Sequence, residues 1–160
     1  MIKVISPPTY CDYDIDTHAS VFLAGGITNC PDWQSKAIDL FSKSSFNLHL
    51  YNPRRSDFDV SNKNMTKEQI KWEHEHLQLV DVIMFWFCEE TIQPITLFEL
   101  GKYCRHEHLI VGAHPNYSRR LDIVEQLKLV NETVSVKDSL EETVFEALYT
   151  IKTKFYYEGI

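Results

Sequence analysis

Apolar residues along the chain fall into short continuous runs, separated by longer segments with helical periodicity. The runs are rich in β-branched and aromatic residues and predict strands at residues 20–23, 47–51, 82–87, 109–113 and 133–136. The third run is apolar throughout, which is typical of a strand covered on both faces. Strands that alternate with helical segments indicate a parallel sheet with connecting helices.

The intervening segments carry helix start signals and apolar residues at helical spacing. The start signals are Pro31-Asp32 for the first helix, Thr66-Lys67-Glu68-Gln69 as a capping box for the second, Pro94 for the third, and Asp138 or Ser139 for the last. A fourth amphipathic segment covers residues 121–129. The pattern therefore predicts five helices between and after the strands.

These elements predict an α/β fold, with a flavodoxin-like, doubly wound, five-stranded parallel sheet and helices on both faces. We expect residues 1–160 to form a single domain. Within residues 1–19, an extra edge strand at 2–5 is expected to precede a polar arm. Residues 54–65 are predicted to be a polar surface loop and a candidate mobile lid.

Composition narrows the function classes. The formal net charge of −7 over 160 residues argues against a partner that is a nucleic-acid polymer. No apolar stretch approaches the roughly 20 residues that span a bilayer, so no membrane partner is expected. The four cysteines form no CxxC pair, which favours reduced thiols in a cytoplasmic protein. His74 and His76 lie about 200° apart on a helix, so no metal site is predicted.

Candidate chemistry centres on two glutamates. Glu99 lies within the apolar run Leu97-Phe98-Glu99-Leu100, where an unpaired carboxylate is unfavourable, in the first turns of the helix that follows the buried strand. Glu73 lies on the preceding helix, two turns before that strand. Two carboxylates from neighbouring βα units are the minimum set for glycosidic chemistry, one as nucleophile and one for protons. The alternative for Glu99 is an ion pair near a subunit interface.

Two βα turns are candidate binding loops. Ala24-Gly25-Gly26 follows the first long strand, and its glycines permit close backbone approach to a ligand. This turn is neither GxGxxG nor a P-loop, so no nucleotide cofactor is predicted. Asn52 and Arg54 follow the next strand, where an arginine is suited to a phosphate or carboxylate. A structural turn and a solvated arginine remain the alternatives.

The order and spacing of several motifs resemble the nucleoside 2-deoxyribosyltransferase family over residues 20–130. The motifs are Phe22-Leu23-Ala24-Gly25-Gly26, Asn52-Pro53-Arg54-Arg55, Trp72-Glu73, Asp81-Val82-Ile83, Glu99-Leu100-Gly101 and Asp122. The resemblance implies transfer of 2-deoxyribose between nucleobases in nucleotide salvage, with a deoxynucleoside and a free nucleobase as ligands. It implies Glu99 as the nucleophile and Glu73 near the nucleobase. It also implies a homo-oligomer with shared sites, in which Asp122 of a neighbouring subunit binds the sugar 5′-hydroxyl.

The chain departs from the family pattern at two positions. Phe22 stands where other members carry a tyrosine that contacts the nucleophile. Gln93 stands near the place of an acidic residue that recognises the base, and Glu90 is a candidate substitute. Two other functions stay open: a hydrolase of 2′-deoxynucleosides or their 5′-monophosphates, and a non-catalytic module that senses a nucleotide or ADP-ribose.

Overall fold

A sheet of five parallel strands forms the centre of the protein in the computed structural model, which describes residues 1–10 and 18–156. The strands are β1 (Ile2–Ile5), β2 (Ala19–Gly25), β3 (Leu48–Tyr51), β4 (Val82–Phe87) and β5 (Leu109–Ala113). Their order across the sheet is β1-β3-β2-β4-β5. Without the edge strand β1, this is the order of the first four strands of a flavodoxin-like sheet.

Helices cover both faces of the sheet, as predicted. They are α1 (Trp33–Phe41), α2 (Lys63–Leu79), α3 (Pro94–Tyr103), α4 (Arg120–Val130) and α5 (Leu140–Ile151), followed by a π-helical turn at Lys152–Tyr156. Helices α1 and α5 pack on one face, whereas α2, α3 and α4 pack on the other. The flavodoxin-like α/β prediction is therefore confirmed.

Strand β4 lies in the interior of the sheet and is buried along its whole length, as its apolar sequence predicts. Its side chains alternate between two cores, because successive residues of a strand point to opposite faces. Ile83, Phe85 and Phe87 pack beneath α2, α3 and α4. Val82, Met84 and Trp86 pack beneath α1 and α5. The polar loops at the two ends of β4 are thus attached to a rigid element.

The strand predicted at residues 133–136 is wrong. The segment begins as a turn, in which the Val134 N–H donates to the Asn131 carbonyl. It reaches the sheet at Lys137, which forms an isolated parallel bridge with Gly112. The β-branched residues of the segment satisfy a strand pattern, but a single bridge beside β5 does not extend into a ladder.

The edge strand predicted at residues 2–5 is confirmed, since β1 pairs in parallel with β3 from Ile2 to Ile5. The sheet thus keeps five strands, with β1 as an additional edge in place of the predicted last strand. Residues 11–17, which belong to the predicted polar arm, lie outside the described part of the chain.

Helix starts agree with the sequence signals at α1, α3 and α5 but not at α2. Asp32 caps α1, Pro94 opens α3, and Ser139 forms a capping box with Glu142 at α5. Helix α2 begins at Lys63, because the Asn62 side chain accepts hydrogen bonds from the N–H groups of the first turn. The predicted capping box at 66–69 is therefore wrong, and the predicted loop at 54–65 ends three residues earlier.

The carboxyl ends of β2 and β4 adjoin at the point where the chain winds in opposite directions. Strand β2 leads to α1 on one face, and β4 leads to α3 on the other. In open parallel sheets this switch point is where ligands bind. In the described part of the chain, no helix has the length and apolar character needed to cross a bilayer.

Candidate active site

Glu73 and Glu99 extend from adjacent helices on the same face of the sheet. Their helices are in contact, since Lys102 Nζ of α3 lies 2.8 Å from His74 Nδ1 of α2. Both glutamates are half-buried, and each helix starts at the carboxyl edge of the sheet. The fold therefore brings together two carboxylates that are 26 positions apart in the sequence.

The Glu99 carboxyl holds its proton more strongly than an ordinary glutamate does. Burial first, and then the nearby Glu73 carboxylate, raise the pKa of the Glu99 carboxyl to about 8 against the opposing effect of Lys102. An ordinary glutamate has a pKa near 4.5 and is therefore almost fully ionised at neutral pH. Glu99 thus keeps its proton at neutral pH, a property that marks functional carboxylates more often than structural ones. The two glutamates are best treated as a pair that holds one proton.

One contact of Glu73 favours its ionised form against the effect of burial. Burial raises the pKa of Glu73 as well, but a hydrogen bond from the Gln69 side chain lowers it. Gln69 Nε2 donates to Glu73 Oε1 at 2.7 Å and to the Pro53 carbonyl at 2.8 Å. Sequence reasoning placed Gln69 only in a capping box and missed this contact. The signal that would have found it is the i,i+4 spacing of an amide and a carboxylate on one helix.

The Gly25-Gly26 turn is a point of close packing. A Cβ on Gly25 would lie 2.4 Å from the Trp86 carbonyl and 2.5 Å from the Trp33 ring. A Cβ on Gly26 would lie 2.4 Å from Cys30 Sγ and 2.7 Å from the Gln93 side chain. Both glycines are therefore required by neighbouring protein atoms, which is the structural alternative that the sequence left open.

Gln93 links the two loops at the switch point. It occupies the N-cap position of α3 in the left-handed conformation (φ 54°), without a side-chain capping hydrogen bond, and is 6% exposed. Its Oε1 accepts from the Gly26 N–H at 2.9 Å, and its Nε2 donates to the carbonyls of Cys88 and Thr91. The side-chain amide predicted to face the substrate is thus engaged by the backbone of both loops. Its observed contribution is to fix the position of the first turn of α3.

The two arginines of the second turn are also engaged by protein groups. Arg54 Nε donates to Gln34 at 2.9 Å, and its Nη2 donates to the Pro31 carbonyl at 2.9 Å. Arg55 forms a bidentate ion pair with Asp57 and a third contact with Glu68. The arginine predicted to bind substrate, Arg54, therefore holds the first βα loop against the second.

The remaining predicted site residues fall into two groups, buried and peripheral. Phe22 and Ala24 are each 1% exposed and lie under α2, α3 and α4, where Phe22 packs against Trp72. Asn52 is half-buried at the end of β3, with its Oδ1 bonded to the Arg54 N–H.

Glu90 and Asp122 form the exposed group. Glu90 is exposed beside the buried thiol of Cys88. Asp122 is exposed on α4 and forms an ion pair with Arg119 at 3.1 Å. The structure therefore brings Glu73 and Glu99 together, but it does not bring Asp122 of the same chain into contact with them.

The two histidines that resemble a metal cluster in the sequence have separate environments. His76 is buried, and its Nδ1 lies 2.7 Å from the Trp72 carbonyl. His74 is exposed and contacts Lys102 and Gln78. Among residues 1–10 and 18–156, no three histidine, cysteine, aspartate or glutamate side chains are grouped in a way that would hold a metal ion.

A doubly wound parallel sheet with a proton-sharing carboxylate pair beside its carboxyl edge defines a flavodoxin-like α/β protein with a candidate acid–base site. The family model described as nucleoside 2-deoxyribosyltransferase like matches residues 18–117, and the chain belongs to this family. The match includes Glu73 and Glu99 but ends before Asp122. No curated protein has a sequence significantly similar to this chain.

Proposed function

We propose that this protein cleaves the N-glycosidic bond of a 2′-deoxynucleoside and transfers the deoxyribose to a second nucleobase. The observation that carries the proposal is the half-buried pair of Glu73 and Glu99, with the pKa of Glu99 raised to about 8. Membership of the nucleoside 2-deoxyribosyltransferase-like family supports the same substrate class. In this proposal Glu99 is the nucleophile and Glu73 assists the base.

The first step uses the proton that the pair holds. Glu99 Oε attacks C1′ and forms an ester, while the bond from C1′ to the base nitrogen breaks and its electrons go to the base. The proton that Glu99 holds at neutral pH moves first to Glu73, which frees Glu99 as the carboxylate nucleophile, and Glu73 then passes it to the base, so the base leaves as a neutral molecule. Raised carboxyl pKa values suit this exchange because the acid is still protonated at the working pH.

The second step reverses the first with a new acceptor. A second base attacks C1′ of the deoxyribosyl ester, Glu99 leaves as a carboxylate, and the proton of the incoming base returns to the pair. Two inversions at C1′ give net retention of configuration. Water as the acceptor would release free deoxyribose, so the same intermediate accounts for transfer and hydrolysis.

Four arginines that could bind a phosphate already have partners within the protein, and this favours a nucleoside over a 5′-monophosphate as the substrate. Arg54 and Arg55 are held by the contacts described above, and Arg119 pairs with Asp122. Arg120 donates to the Ala113 carbonyl and contacts Asp138. A phosphate would have to displace these partners, whereas a free 5′-hydroxyl needs only a hydrogen bond.

We further propose that two or more copies assemble through α3 and α4. A cavity of about 330 Å³ lies between these helices and is lined mainly by apolar side chains, together with Asp122. Phe98 is 70% exposed and Leu121 is 72% exposed on the same helices. In such an assembly Asp122 of a neighbouring copy would complete the site, so a fully active monomer would contradict this part of the proposal.

A base-exchange assay tests the proposed function. Wild-type protein, Glu99→Ala and the exposed control Glu132→Ala are incubated with a deoxynucleoside panel and a second free base, and the products are separated by chromatography. We expect new nucleoside from the wild type and the control, and a loss of at least about 1,000-fold in Glu99→Ala. Free sugar without new nucleoside would assign a hydrolase. No turnover of nucleosides or their monophosphates would favour the sensing module.

A further inference from the structure

Gln69 carries a buried oxygen that the protein does not use. The residue is 7% exposed, and among the described residues no donor lies within hydrogen-bond distance of its Oε1. Buried side-chain oxygens are normally hydrogen-bonded, because removing an acceptor from water without a partner is unfavourable. The unused acceptor belongs to the same side chain that contacts Glu73.

The orientation of the Gln69 amide is fixed by its surroundings. Its NH₂ group has two hydrogens, and both face acceptors, the Pro53 carbonyl and Glu73 Oε1. Rotating the amide by 180° would place its oxygen against those two acceptors, so the alternative assignment is excluded. Oε1 belongs to the same planar amide group as the nitrogen that contacts Glu73, so its position relative to the Glu73 carboxylate is fixed.

We propose that Gln69 Oε1 accepts a hydrogen bond from the exocyclic amino group of the nucleobase, which makes Gln69 a specificity-determining residue. The inference rests on the proposed function, in which Glu73 lies at the base. The amide oxygen needs a donor, and Glu73 exchanges a proton with a ring nitrogen. Together they match an amino group beside a ring nitrogen, the edge that adenine and cytosine present.

This arrangement predicts selectivity for amino-bearing bases over their oxo counterparts. A carbonyl in the place of the amino group would face Gln69 Oε1 with another acceptor. A site that is built to pair a polar group discriminates strongly against ligands that leave the group unpaired. Adenine should therefore be preferred to hypoxanthine, and cytosine to uracil.

A thermodynamic cycle tests the assignment: the Gln69 amide is removed from the protein, the amino group is removed from the ligand, and binding is measured for each combination. Calorimetry uses the Glu99→Ala protein, which removes turnover, with and without Gln69→Met. The ligands are 2′-deoxyadenosine and 2′-deoxycytidine, each compared with the analogue in which hydrogen replaces the amino group. Gln78→Met, at an exposed position of the same helix, is the matched control, and thermal unfolding verifies that each variant is folded.

We expect the effect of removing the ligand amino group to depend on whether the Gln69 amide is present. Loss of the amino group should weaken binding roughly 5- to 50-fold when Gln69 is present and less than about 2-fold in Gln69→Met. Equal weakening in both proteins would overturn the proposal, because a residue that only positions Glu73 would affect all ligands alike. Coupling to 3′-deoxy or 5′-deoxy sugars would overturn it too and assign Gln69 Oε1 to a sugar hydroxyl.

The failure of this inference is distinguishable from failure of the proposed function. Binding needs no turnover, so coupling without catalysis by the wild type would support the Gln69 assignment and contradict the transferase. Transfer by the wild type without this coupling would support the transferase and contradict the Gln69 assignment. Failure of every nucleoside to bind would contradict both.

Discussion

The carboxyl edge of the sheet contains two regions of opposite character, although both come from βα units and lie within one fold. At the switch point, the side chains of Gln93 and Arg54 form hydrogen bonds with the backbone of the loops after β2 and β4, and the packing leaves no room for a Cβ at Gly25 or Gly26. Between α2 and α3, Glu73 and Glu99 repel each other, and Gln69 Oε1 has no partner among the described residues. The hydrogen bonds of the first region hold its loops in place. The second region contains two carboxyl groups that repel each other and an acceptor without a hydrogen bond among the described residues.

This difference indicates where substitutions should lower stability and where they should raise it. Side chains in a satisfied network stabilise the native state, so their removal is destabilising. Groups that are poised for a ligand are destabilising in its absence, so their removal raises stability while function is lost. Substitutions in each region therefore test whether the two regions differ in this way.

The largest expected effect is at Gly25 in the switch-point region. The Cβ of Gly25→Ala would lie 2.4 Å from the backbone carbonyl of Trp86, which cannot move without displacing β4. We expect a loss of about 3 kcal/mol in the free energy of unfolding, measured by urea denaturation. Gly101→Ala is the control, since its Cβ would have open space on α3, and it should stabilise the monomer by about 0.5–1 kcal/mol. An unchanged stability in Gly25→Ala would contradict the rigid packing of this turn.

A smaller loss is expected at Gln93. Gln93→Leu removes the acceptor of the Gly26 N–H and the donor to Cys88 and Thr91, and leaves these buried groups unpaired. We expect a decrease of about 2 kcal/mol in the free energy of unfolding. Gln78→Leu on the exposed side of α2 should change it by less than about 0.5 kcal/mol. Equal effects of the two substitutions would mean that the loops do not depend on the Gln93 amide.

The smallest effect has the opposite sign and lies in the acidic pair. The folded state raises the pKa of Glu99 from 4.5 to about 8, so between these values it binds more protons than the unfolded chain. Stability of the wild type should therefore fall as the pH rises through this window. Glu99→Gln removes this contribution; because solvent screens a half-buried group and reduces the full linkage value, we expect it to be more stable than the wild type by about 1–2 kcal/mol at pH 8, with no difference near pH 4.

Thermal unfolding across this pH range measures the effect, with Glu132→Gln as an exposed control that should follow the wild type. A constant difference between Glu99→Gln and the wild type at all pH values would mean that Glu99 titrates normally. It would also remove the contrast between the two regions.

Much of the fold follows from local sequence. The bounds of β4 and β5 and the start signals of α1, α3 and α5 depend on apolar periodicity and capping residues within a few positions. The segment at 133–136 was wrongly assigned because a strand also needs a neighbour to pair with, and the sequence does not supply that information. The start of α2 depended on Asn62, which competed with the more familiar capping-box pattern.

The candidate site was less accessible to sequence reasoning. The proximity of Glu73 and Glu99 follows from parallel topology and was predictable. The role of Gln93 was not, because its hydrogen bond joins residues 67 positions apart, and no local pattern encodes that contact. Gln69 was missed for a different reason: its position fits a helix start, which concealed the buried amide.

The most direct test of the account is to trap the intermediate on Glu99. Wild-type protein is mixed with a deoxynucleoside in the absence of acceptor base, quenched in acid, digested and analysed by mass spectrometry. We expect one peptide to gain the mass of a single deoxyribosyl group, fragmentation to locate it on Glu99, and Glu99→Gln to show no adduct. Turnover of nucleosides with the adduct on another residue, or with an undiminished adduct in Glu99→Gln, would contradict the assignment of Glu99 as nucleophile.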